Sequence, residues 1–157
     1  MIQIKRNTYK KRGFTLIEIL VVIGIIAVLA AVVLIAINPA RQFKLARDSQ
    51  RLSNVTAILN AIGQIMAENK GKFICSGTEI AIPASSTIIS SNVGDVNIGG
   101  CLVPDYISSL PFDPNKTEAH YTNSTDYNTG YSVSKDGIGR ITIQSDGEIT
   151  SPITITR

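Results

Sequence analysis

The chain predicts an α+β fold, with a long helical region toward the N-terminus and an antiparallel β-sheet toward the C-terminus. Three observations carry this. An almost unbroken apolar run fills 14–37, apolar residues continue at spacings of three and four to about residue 70, and the last third alternates Ile, Thr and Val between Asp-Gly pairs. These divide the chain into 1–13, a short basic leader; 14–37, an apolar helix; 38–71, an amphipathic helix; and 72–157, a globular part.

At 1.5 Å per residue the apolar run is about 36 Å long as a helix, long enough to cross a bilayer. One residue interrupts it. Glu18 places a carboxylate inside the run, where hydrocarbon offers no hydration, so it requires a partner. A secretory signal is the alternative for such a segment, but its apolar core is normally about 7 to 15 residues and ends in a small-residue cleavage site.

The residues around Glu18 carry a signature. Lys10-Lys-Arg-Gly-Phe-Thr-Leu-Ile-Glu18, followed by the apolar run, resembles the N-terminus of type IV prepilins and type II secretion pseudopilins. The resemblance implies cleavage between Gly13 and Phe14 by a prepilin peptidase, with methylation of the new N-terminus at Phe14. It implies that Glu18 acts in assembly, meeting the amino group of a neighbouring subunit. The expected fold is then the pilin lollipop, a long N-terminal helix packed on a C-terminal sheet, and the expected partners are copies of the chain itself, the bilayer and a membrane assembly platform. Two further readings stand beside a pilus subunit: a pseudopilin driving protein export, and a single-pass anchored binding module that does not polymerise.

Charge supports the same topology. Lys5, Arg6, Lys10, Lys11 and Arg12 precede Gly13, and without them the net +3 of the chain falls to about −2. The basic balance therefore belongs to the leader and favours a cytoplasmic N-terminus, sending the rest outward from the inner membrane into the periplasm or beyond. Arg41, Lys44, Arg47 and Arg51 oppose this asymmetry, offset only by Asp48. Their helical spacing puts several cations on one face, which suits lipid headgroups, ion pairs between subunits, or nucleic acid. Nucleic acid is the weakest of the three, because Phe43 is the only aromatic residue interleaved.

Beyond the span, Asn38-Pro39 predicts a kink or local unwinding, since proline removes a donor and crowds the preceding turn. Leu52, Val55, Leu59, Ile62 and Met66, widened by Ile58 and Ile65, form an apolar stripe that must pack on the globular part. Gly71 is the expected left-handed cap of this helix. Residues 72–103 are irregular, with β-prone pieces such as 87–89. Leu110-Pro-Phe-Asp-Pro114 forbids regular structure and resembles the Leu-Pro-x-Asp-Pro stretch of major pseudopilins of the G type. Residues 131–134, 138–144 and 148–155 then read as three strands of a meander, joined at Lys135-Asp-Gly137 and Ser145-Asp-Gly147.

Cys75 and Cys101 lie in the part expected to face an oxidising compartment, so a disulfide between them is expected, with buried thiols the alternative. Zinc is disfavoured by their spacing and by His120 being the sole histidine. Asp113, Asp126 and Asp136 are weak calcium candidates, suggested by oxygen-rich loops and by calcium binding in G-type pseudopilins, although ordinary turn chemistry accounts for the same residues. Asn54, Asn115 and Asn123 each begin an Asn-x-Ser/Thr triplet, and none is assigned a glycan. No catalytic grouping is visible, so the chain is read as a non-enzyme without a required cofactor.

Overall fold

A computed structural model describes residues 13–157, so all of the 1–13 leader except Gly13 lies outside the described residues. Two compact units are present, divided near Pro39. The first contains helix α1 (Leu16–Ile37), whose 22 residues are all exposed, as an apolar helix must be if lipid or another chain is to cover it. It ends on Asn38, which takes a left-handed conformation at φ 47. The predicted break is thus a helix end. A residue before proline is steered away from right-handed helix and Asn tolerates the left-handed region, while Pro39 is accommodated as the first residue of the next helix.

The second unit opens with α2 (Pro39–Glu68). Val55, Ile58, Leu59, Ile62 and Ile65 are buried along one face, as the spacing requires, and Met66 is partly buried. Leu52 departs from the expected stripe and is 49% exposed. The face turns charged below Val55, where Asp48 and Arg51 take the buried positions. At the other end, the Gly71 amide donates to the Met66 carbonyl at 2.8 Å. Lys70 and Gly71 both take positive φ, so the cap uses two left-handed residues where one glycine was expected.

Short strands β1 (Ile74–Cys75) and β2 (Thr78–Glu79) form a small hairpin. Then come β3 (Thr87–Ser90), a single helical turn α3 (Gly99–Leu102), β4 (His120–Asn123), β5 (Asp126–Lys135), β6 (Ile141–Ser145) and β7 (Ile153–Thr156). The main sheet has five strands in the order β3-β5-β6-β7, with β4 also on β5, and every pairing is antiparallel. Its inward residues Ile89, Tyr127, Tyr131, Val133, Ile141 and Ile143 join the α2 stripe in one apolar core. Alternation along β5 and β6 is strict, so one face of each strand enters that core.

The expected meander is present as β5-β6-β7 with its three strand starts moved and each end one residue later. Strand β5 begins at Asp126, not 131, because Asp126-Tyr-Asn-Thr-Gly130, read from composition as a turn, is the N-terminal half of the strand. Within it Gly130 takes φ +72, and a Cβ there would sit 3.1 Å from the Asp113 Cβ. Strand β6 begins at Ile141, after a turn closed by Asp136, which accepts the Ile138 and Arg140 amides. Strand β7 begins at Ile153, because the 148–150 amides turn to the Asp48 carboxylate and Pro152 has no donor for a ladder. Strand β4 was not expected from the sequence.

Candidate functional site

In the N-terminal unit, Gly13, Phe14 and Thr15 precede the helix and are exposed. Thr15 is the N-cap. Its side chain accepts the Glu18 amide at 3.3 Å, while its own amide and hydroxyl both donate to Glu18 Oε2 at 2.7 Å. This reciprocal capping box satisfies orphan donors of the first turn and fixes the carboxylate at the positive end of the helix. Both bonds end on one oxygen, and among the described residues no donor reaches Oε1. The local answer to what faces Glu18 is therefore Thr15, three residues before it. Sequence spacing held the signal, since Thr-x-x-Glu before an apolar run is a helix-start pattern.

In the second unit, the basic run is divided. Arg51 is 3% exposed and donates to both oxygens of Asp113 at 2.8 and 3.0 Å, to Asp48 at 2.8 Å and to Glu148 at 3.1 Å. Arg47 donates twice to Glu148, at 2.5 and 2.6 Å. Asp48 also accepts the amides of Glu148, Ile149 and Thr150. Burial alone would raise the Asp48 and Asp113 carboxyls. Three amides and Arg51 instead hold Asp48 far below the usual carboxylate range, and Arg51 with the Asn115 and Lys116 amides lowers Asp113. The Arg47 contact, aided by Arg51, brings Glu148 down to about 2.

Arg47 and Arg51 therefore serve the fold of their own chain, a role absent from the three sequence readings of the run. Lys44 remains exposed without an ion pair among the described residues. Glu148 was unremarked in the sequence. The signals available were Asp48-x-x-Arg51 on one helix face and the Asp in Leu110-Pro-Phe-Asp-Pro114, neither of which reveals a partner about 60 or 100 residues away.

The calcium candidates are not brought together. Asp113 is filled by Arg51 and two amides, Asp126 faces His120 at 3.3 Å, and Asp136 faces Arg140 at 2.7 Å. Among the described residues no three His, Cys, Asp or Glu side chains are grouped to hold a metal ion. Cys75 and Cys101 are joined in a disulfide that links β1 to α3. Of the three Asn-x-Ser/Thr asparagines, Asn54 donates to the Phe112 carbonyl and the Tyr131 hydroxyl, so its amide is engaged in packing.

Residues 8–34 match the prokaryotic N-terminal methylation motif. No curated protein and no solved structure matches the chain. The motif covers the start of the chain, and the exposed apolar helix followed by an antiparallel sheet is a pilin-like α+β arrangement.

Proposed function

We propose that the chain is the subunit of a type IV pilus-like filament, cut between Gly13 and Phe14 and assembled through α1. The observation that carries this reading is the methylation motif running directly into a helix with every side chain exposed and a single carboxylate at its start. Before assembly lipid covers the helix, and in the filament other copies of α1 do. The hydrophobic term nearly cancels in that exchange, so packing and the polar contact of Glu18 decide it. Cleavage creates an amine at Phe14, and that amine on a neighbouring subunit is the cation for Glu18 Oε1. The capping box survives the cut because Thr15 lies after it.

Mass spectrometry of the mature N-terminus tests processing: a chain starting at methylated Phe14 is expected, and retained Met1 contradicts it. Glu18→Ala tests assembly, with insertion retained and filaments lost; normal filament yield from this variant would sink the role of Glu18. A type II secretion pseudopilin is the second reading, favoured by Leu110-Pro-Phe-Asp-Pro114. Deletion of the gene separates the two: loss of surface filaments supports the pilus, and retention of export substrates in the periplasm supports the pseudopilus.

A further inference from the structure

We propose that the second turn of α2, through Phe43 and Lys44, is a contact surface for acidic phospholipid headgroups that holds the unassembled subunit at the outer face of the membrane. The proposal rests on α1 being a membrane span. Helix α1 ends at Ile37 and α2 begins at Pro39, at most about 7 Å further along the backbone. Phe43 is four residues into α2, a rise of about 6 Å. Its backbone therefore lies within about 13 Å of the end of the span at any interhelical angle, and the headgroup layer on each side is about 5 to 8 Å deep, within reach of the phenyl ring.

What projects there is unusual for a soluble surface. Phe43 is 65% exposed, a large apolar side chain beside an exposed lysine. An aromatic body with an adjacent ammonium suits the interface, where the ring packs among the headgroups and the cation meets phosphate. The charge also has to be accounted for. Arg47 and Arg51 are spent on Glu148, Asp48 and Asp113, whereas Lys44 meets no carboxylate among the described residues. Its exposed ammonium is therefore available to an external anion. Attraction of this kind is confined to the surface layer and weakens with salt.

The chain contains no tryptophan, so Phe43→Trp installs a single fluorescent reporter at an exposed position. The full chain is reconstituted in phosphatidylcholine vesicles and in vesicles containing phosphatidylglycerol, each doped with lipids brominated near the headgroup. The expected result is blue-shifted emission quenched by the brominated lipid, stronger with phosphatidylglycerol, and reduced by added salt and by Lys44→Glu. Aqueous emission without quenching in both vesicles overturns the proposal, as does quenching equal in both and indifferent to Lys44→Glu. A second single reporter, Leu29→Trp, checks the span: if it is unquenched by deeply brominated chains, the membrane reading has failed and not the headgroup contact.

Discussion

Arg51 and Asp113, 62 residues apart in sequence, form a two-toothed ion pair in which Nε and Nη2 donate to opposite carboxylate oxygens. Both side chains are almost wholly buried. The planar guanidinium matches the carboxylate, and the Asn115 and Lys116 amides occupy Asp113 further. A segment whose two prolines forbid regular structure is thereby fixed to the helix. The rigid anchor is a charge pair where an apolar stripe would have served above it.

Breaking this pair is expected to be costly. Asp113→Ala leaves Arg51 with fewer acceptors in a dry setting, and removal of one partner of a buried pair typically costs about 3–5 kcal/mol. Urea unfolding of the full chain in detergent measures it. A loss below about 1 kcal/mol would show that the loop is held by its apolar neighbours alone. Asp113→Asn, which keeps shape and one acceptor, should lose less.

How much of this was legible follows from where each signal resides. Helix α1 was readable because apolar composition and length are local, and the upper part of α2 because Val55, Ile58, Leu59, Ile62 and Ile65 repeat at helical spacing. The three-strand meander was visible in its Asp-Gly turns, but its boundaries depended on Asp48 drawing the 148–150 amides away from the ladder. A residue one hundred positions distant decides that, and no window of sequence contains it. The Asp126–Gly130 segment misled for a related reason: Asp, Asn and Gly favour turns locally, while burial of Tyr127 and Thr129 against the core makes the segment strand.

The Tyr127 hydroxyl is expected to matter more than its ring suggests. It accepts the Ile98 and Gly99 amides, each at 2.9 Å, and donates to Asn97 at 3.0 Å. Gly99 has no room for a side chain, since a Cβ would lie 2.5 Å from the tyrosine ring and 2.7 Å from the Ser124 carbonyl. Tyr127→Phe would strand two buried amides at a cost of about 1–3 kcal/mol. Hydrogen exchange at the Ile98 and Gly99 amides should quicken in this variant; unchanged protection would contradict the role assigned to the hydroxyl.

Reduction of Cys75–Cys101 opens a loop of 26 residues. Chain entropy alone predicts a loss of about 3 to 4 kcal/mol for a loop of that length. Thermal melting with and without reductant measures it, with Cys75→Ser/Cys101→Ser as the check that reductant acts through this bond. An equal melting temperature under all conditions would mean that the apolar packing around Leu102 and Ile98 restrains the loop unaided.

Acid should unlatch the ion cluster before it melts the apolar core. Asp48, Asp113 and Glu148 all have folded values below their unfolded ones, Glu148 at about 2 through its Arg47 contact. The sign follows from linkage: a depressed carboxylate contributes stability fully present above its unfolded value, near 4, and loses it as pH falls through the folded value. The contribution of this cluster should therefore be flat from about pH 7 to 5 and decline from about pH 5 toward 2. Glu148→Gln removes one of the three titrations, so the decline should become shallower while stability at neutral pH drops. If that variant keeps the full acid slope, the slope belongs to other carboxylates and the cluster is not the acid-sensitive latch.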